Sequence, residues 1–101
     1  MKIDLEKLCK ETNLQYMNEG GFECCKFDGH AVIGVQGLVI NFNTDVSVSA
    51  EYKIYFINVK SMNNDESNYE LLKKELIKVI LKYKKKAIKV KKIELEEDFN
   101  E

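Results

Sequence analysis

The chain of 101 residues contains no arginine, no proline and no tryptophan, and it has a single histidine. Its basic side chains are sixteen lysines. Proline and most arginine codons are GC-rich, whereas lysine, asparagine and isoleucine codons are AT-rich. The composition therefore indicates an AT-rich genome, such as that of a low-GC bacterium or one of its phages or mobile elements. The lack of arginine also argues against base-specific reading of DNA, which usually employs arginine to contact guanine.

Several features that define common functional classes are missing as well. No stretch approaches the roughly 18 consecutive apolar residues of a membrane span. Acidic residues, Asp4 and Glu6, stand where a signal peptide would have its apolar segment. The glycines lie among predicted strands and turns, so no phosphate-binding loop leads into a helix. We therefore predict a cytoplasmic protein that has no membrane contact and needs no cofactor.

The cysteines, Cys9, Cys24 and Cys25, form an odd set with one adjacent pair and no Cys-x-x-Cys spacing. Adjacent residues on a strand point to opposite faces, which argues against a Cys24–Cys25 bridge and against a zinc site. We predict three reduced thiols in a cytoplasmic protein. Cys25 and His30 are the only candidates for nucleophilic catalysis, but nothing in the sequence lowers the thiol pKa or orients the histidine. A protein without enzymatic activity and without a bound metal is the prediction.

The apolar spacing predicts a single α+β domain over residues 1–101. Asp4 is a suitable N-cap for a first helix. From residue 14 to residue 60 the periodicity is that of strands, and Asp28-Gly29 is a strong hairpin signal that would pair Phe27 with His30, Cys25 with Val32 and Cys24 with Ile33. Four to five strands in an antiparallel meander are predicted. In the last of them, apolar residues occupy both faces, which is typical of a strand covered on two sides.

A second, amphipathic helix is predicted to begin at Ser67, which with Glu70 forms a capping-box pattern. Its apolar stripe is expected to pack on one face of the sheet: Leu72, Leu76, Val79, Ile80, Tyr83 and Ala87. Beyond Lys86, apolar and charged residues alternate, so the chain forms either a short final strand or a continued helix, and the alternation favours the strand.

Charge is distributed unevenly along the chain. Residues 71–93 contain ten lysines and one acid, and residues 94–101 contain five acids and no base. The first 68 residues have ten acids and six lysines, so a dipolar surface is predicted, with an acidic tail at about residues 96–101. The lysine face is interpreted as a solvated surface, a contact for an acidic protein or a sequence-neutral nucleic-acid contact. The candidate partner-binding residues are Lys74, Lys78, Lys82, Lys85, Ile77 and Leu81.

The order helix, antiparallel strands, helix in a small arginine-free chain resembles phage-encoded inhibitors of host defence, including some anti-CRISPR proteins. The resemblance is one of size and layout. It implies a non-enzymatic inhibitor or adaptor that binds a larger bacterial protein, or its complex with nucleic acid, and occludes a site. The alternatives are a sequence-neutral nucleic-acid-binding protein and a structural subunit. The pattern gives no oligomeric state.

Overall fold

The computed structural model describes the backbone of residues 1–99 and the side chains of residues 1–96. Two helices and five strands follow one another along the chain. They are α1 (Leu5–Glu11), β1 (Gln15–Glu19), β2 (Phe22–Phe27), β3 (His30–Gln36), β4 (Val39–Val48), β5 (Ile54–Asn63) and α2 (Tyr69–Phe99), with a 3₁₀ turn at Glu66–Asn68 before α2. Neither helix of the described chain combines the length and the apolar character needed to cross a bilayer.

The strands form one antiparallel sheet in the order β1-β2-β3-β4-β5. The predicted α+β meander is thus confirmed. The β2–β3 hairpin turns at Asp28 and Gly29, whose φ angles are 51° and 80°. Two successive positive φ angles match the right-handed twist of the flanking strands, which explains why Asp-Gly is favoured here.

The hairpin departs from the predicted register above its first pair. Phe27 pairs with His30 as expected, but Cys25 pairs with Ile33 and Cys24 with Gly34. The predictions of Cys25 opposite Val32 and Cys24 opposite Ile33 are wrong, because a β-bulge next to Cys25 inserts one extra residue into β3. The turn chemistry set the first pair, but it does not specify where a bulge interrupts the ladder.

Both helices lie on one face of the sheet, here called the covered face. Helix α1 packs on β1 and β2, and α2 packs on β4 and β5. The Asp4 carboxylate accepts a hydrogen bond from the Lys7 amide, so Asp4 caps α1 as predicted. The side chains that point the other way, such as those of Phe22, Asn41 and Val59, form what we call the open face.

Buried Asn64 joins three parts of the chain at the end of β5. Its Oδ1 accepts a hydrogen bond from the Ile3 amide at 2.9 Å, and its Nδ2 donates to the Gly37 carbonyl at 3.2 Å. Its backbone amide donates to the Leu38 carbonyl at 2.8 Å. Because each buried polar group of the side chain has a partner, Asn64 holds the N-terminus and the β3–β4 turn together without a desolvation penalty.

The two helices are joined by a polar contact at their edges. The Tyr69 hydroxyl donates a hydrogen bond to the Glu11 carboxylate, and Lys73 Nζ lies 3.3 Å from the same carboxylate. The bond from Tyr69 and the nearby Lys73 charge lower the pKa of Glu11. Burial, and then the bond to Glu11, raise the pKa of the Tyr69 hydroxyl.

The predicted start of α2 and the predicted final strand are both wrong. Ser67 lies in the 3₁₀ turn, where its hydroxyl bonds to the Asp65 carboxylate, and α2 begins at Tyr69. From there the helix continues to Phe99 through the segment where a strand was predicted. The prediction failed because a short alternation of lysines and apolar residues fits an exposed helix face as well as a strand. Much of the predicted acidic tail therefore belongs to α2, while residues 100 and 101 lie outside the described chain.

A disulfide between Cys9 and Cys25 links α1 to β2 on the covered face of the sheet. Both residues are buried, and their Cα atoms are 6.1 Å apart, within the usual range for a disulfide. The prediction of three reduced thiols is therefore wrong for this pair, and Cys24 alone is free. The bond has no signature in the sequence, because only the packing of α1 on β2 brings the two cysteines together.

Candidate interaction surface on the second helix

The sheet contacts of α2 determine which of its side chains face solvent. Leu72, Leu76 and Val79 are fully buried against the sheet. Tyr83 is the last buried residue of the helix within the described side chains; its ring stacks on Phe56 and meets Phe27 edge-on, with centroid distances of 5.2 and 5.0 Å. The sheet thus supports the first half of α2 and leaves its second half uncovered.

The four candidate lysines are all exposed, but they differ in their surroundings. Lys82 Nζ donates to the Thr44 carbonyl at 3.2 Å and lies 3.7 Å from the Asp45 carboxylate, so it is directed toward β4. Lys78 Nζ lies 3.8 Å from Glu75, one helical turn away. Within the described side chains, no ion pair involves Lys74 or Lys85. These two amines are therefore the ones whose charge is least compensated.

Ile77 and Leu81 lie beside the loop that ends α1. Together with Ile80 they line a cavity of about 180 Å³, whose opposite wall is formed by Thr12 and Asn13 and whose rim carries Glu11 and Lys84. Ile77 and Leu81 nevertheless remain 45% and 51% exposed. These two side chains thus pack in part against the loop after α1, and about half of each stays exposed to solvent.

The exposed apolar stripe extends well beyond this cavity. Ile88 and Leu95 follow Leu81 at seven-residue spacing and are both more than half exposed. Residues seven apart lie close to one line along a helix, and the stretch from Ile77 to Leu95 measures about 27 Å at 1.5 Å per residue. Sequence reasoning missed this stripe, because assigning a strand after Lys86 hid the helical spacing.

Lysines flank the stripe on both sides in the uncovered half of α2. They are Lys84, Lys85, Lys89, Lys91 and Lys92, and among the described side chains none of them forms an ion pair. Lys86, which is also outside the ion pairs, is half-buried and lies on the opposite side of the helix from Ile88. The molecule is 57 Å long but only 26 and 22 Å across, as expected when a long helix extends past the sheet. An apolar line bordered by positive charge is consequently presented away from the rest of the protein.

The described structure does not bring together the groups needed for a Cys25–His30 catalytic pair or for a metal site. Cys25 is bonded to Cys9, so it has no thiolate to act as a nucleophile. The His30 ring lies beside the rings of Phe56 and Tyr83, with centroid distances of 6.4 and 6.5 Å. Among the described residues, no group of three or more histidine, cysteine or acidic side chains converges as a metal site would require. The outward face of α2 is therefore the candidate functional surface.

Comparison with models of protein families, with curated proteins and with solved structures gives no match for this chain.

Proposed function

We propose that the protein is a non-enzymatic interaction protein that binds an acidic surface of a larger protein through the outward face of α2. The observation that supports this most strongly is the exposed apolar stripe from Ile77 to Leu95 with unpaired lysines on both sides. Apolar side chains supply the burial that drives association. The lysines supply steering and orientation toward a surface of opposite charge.

The uncovered half of α2 gives a physical reason for a partner. A helix of about 15 residues is only marginally stable in water unless its apolar side packs against something. Residues 84–96 have no fully buried side chain, and only Lys86, Ala87 and Val90 are half-buried, so packing stabilises this half less than the first half. A partner that covers Ile88 and Leu95 would stabilise it, while the cavity beside Ile77 would accept one apolar side chain.

The proposed role is that of an inhibitor or adaptor, encoded by a phage or mobile element, that acts in the bacterial cytoplasm. It would occlude a site on a larger bacterial protein, for example a host-defence complex. The AT-rich composition and the layout of the chain support this origin. A helix that extends beyond a rigid sheet is suited to entering a groove on such a target.

A second candidate function is sequence-neutral binding of nucleic acid by the same lysines. The six unpaired lysines between residues 84 and 92 favour it, since each phosphate contact adds a salt-dependent increment of affinity. This candidate does not account for Ile88 and Leu95, because a phosphate backbone offers no apolar surface to cover them. Its distinguishing property is affinity for random-sequence DNA that falls steeply between about 50 and 200 mM salt.

The test is a pull-down from a lysate of a low-GC bacterium, with and without nuclease, using three forms of the protein. They are the wild type, a variant with Lys74, Lys78 and Lys85 changed to glutamate, and a control with Lys10, Lys53 and Lys60 changed to glutamate. The control makes the same change in net charge at exposed lysines outside α2. Lys82 is left intact because its bond to Thr44 contributes to the fold.

A protein retained by the wild type and the control, lost with the α2 variant and insensitive to nuclease would support the proposal. Equal retention by all three forms would refute the role of the lysine face. Loss of all captured material on nuclease treatment would instead favour nucleic-acid binding.

A further inference from the structure

The open face of the sheet is more apolar than a water-covered face requires. Phe22, Val39 and Val59 are 48%, 40% and 68% exposed there. A sheet with one face in water normally places apolar residues inward and polar residues outward. Strand β5 breaks this rule, because Tyr55, Ile57 and Val59 alternate with the side chains that face α2 and so point to the open face. The strand has the pattern of one covered on both sides, yet within residues 1–99 both helices lie on the covered face.

The centre of the open face has a defined shape. A shallow depression of about 130 Å³ is lined by Phe22, Cys24, Gly34, Asn43 and Val59, among others. The Phe22 ring lies across Gly34, so that a Cβ added at Gly34 would be only 3.2 Å from its Cζ atom. Glycine in the central strand thus makes room for the Phe22 ring, which packs on the sheet, lines the depression and remains half-exposed.

The open face is also nearly uncharged. Its charged residues are Glu19 on the edge strand β1, Lys26 on β2 beside it, and Asp45, whose carboxylate lies 3.7 Å from Lys82 of α2. This is unusual in a chain in which 33% of the residues are charged. The polar side chains at its centre include Asn41 and Ser61, which bond to each other. A face with so few charges meets little repulsion from an identical copy of itself. Two lysine-rich helices, by contrast, would repel each other.

The size of the open face is sufficient for a weak dimer. Five strands about 4.8 Å apart and about 20 Å long present on the order of 500 Å² per copy. Two copies would bury about 1,000 Å² in total, which is near the lower limit for a specific interface. Association is therefore expected to depend on concentration.

We propose that the open face is a homodimer interface in which two copies of this chain pack sheet against sheet. Such sheets lie about 10 Å apart with interdigitated side chains. A two-fold axis brings the same surface of each copy together, so the half-exposed Phe22 and Val59 side chains of one copy pack against the open face of the other. Both α2 helices then lie on the outside of the dimer, and the proposed partner surface stays free.

The experiment is sedimentation velocity on the purified protein alone, from about 1 µM to 1 mM. The wild type is expected to rise from 11.7 kDa toward twice that mass, 2 × 11.7 = 23.4 kDa. Val59→Glu and Val39→Glu should each weaken association at least about tenfold, because a carboxylate buried without a partner is costly. Val39 lies on the interior strand β4. A weaker dimer in Val39→Glu would therefore indicate packing of the sheet faces and not strand pairing between the β5 edges of two copies.

Leu71→Glu is the matched control, since Leu71 is 52% exposed and lies on α2, away from the open face. It should dimerise like the wild type. Circular dichroism and the urea midpoint must show that all variants are folded. A wild type that stays monomeric up to about 1 mM would overturn the proposal. So would dimers that persist in both valine variants but are lost with Ile88→Glu, since the contact would then lie on α2.

Discussion

Reduction of the Cys9–Cys25 disulfide is expected to destabilise the protein substantially. The bond joins residues 16 apart in sequence and ties α1 to β2. In the unfolded chain it closes a loop, which removes conformational freedom that the reduced chain regains. Adding a reductant changes no other atom of the protein, so it isolates the contribution of the bond more cleanly than a substitution does.

The expected magnitude follows from the length of the loop. Closing a loop of about 15 residues is worth about 3 kcal/mol at 25 °C on the chain-entropy model. That is a large part of the 5–15 kcal/mol typical of a domain. For a chain of about 100 residues, each kcal/mol corresponds to about 4–8 °C in Tm, so reduction should lower Tm by about 12–24 °C.

The assay is urea unfolding with and without a phosphine reductant, combined with a thiol count on the unfolded protein. One reactive thiol, that of Cys24, is expected before reduction and all three after it. The variant with Cys9 and Cys25 both changed to alanine should not respond to reductant. Three thiols in the untreated protein would refute the disulfide and restore the sequence-based prediction of reduced cysteines. One thiol before reduction and three after it, with an unchanged free energy of unfolding, would refute the stabilisation worked out from the loop length. Because disulfides persist mainly in oxidising compartments, the same result bears on the cytoplasmic location predicted from sequence.

Two further predictions concern polar contacts of the fold. Asn64→Ala should lower the free energy of unfolding by about 1–3 kcal/mol, because it leaves the buried Ile3 amide without its acceptor. The matched control, Asn63→Ala at an exposed position, should change it by less than about 0.5 kcal/mol in urea titrations. The hydrogen bond from Tyr69 lowers the pKa of Glu11 in the folded protein. Ionised Glu11 therefore stabilises the fold at pH values above its unfolded pKa of about 4.3, and this contribution is lost as the pH falls through the folded pKa. Glu11→Gln should therefore be less stable than the wild type at pH 7 and approach it at about pH 3; an equal difference at both pH values would contradict the contact.

The sequence predicted elements that depend on local chemistry. The Asp4 cap, the Asp28-Gly29 turn and the stripe from Leu72 to Tyr83 each depend on neighbours within a few positions. Local interactions did not specify the bulge beside Cys25, which shifts the pairing by one residue. The helix past Lys86 was missed because isolated charge alternation does not distinguish a strand from an exposed helix face.

The candidate surface on α2 likewise has features that the local sequence predicted and features that depend on tertiary packing. The outward position of Lys74, Lys78 and Lys85 followed from helical periodicity. That Lys82 bonds to β4 depends on the docking of α2 on the sheet. That Ile77 and Leu81 line a cavity with Thr12 and Asn13 depends on the docking of α1 next to α2. Contacts between residues so far apart in the chain have no local signature.

What the sequence by itself determined is therefore the order and type of most elements, the predicted meander and the concentration of lysine on one helix. Hydrophobic periodicity, caps and turns act over a few residues, which makes them readable along the chain. Only the tertiary structure decided which face of the sheet stays open, how far α2 extends beyond it and which two cysteines meet. These depend on the packing of distant segments, since a side chain is buried or exposed according to what the rest of the chain places against it.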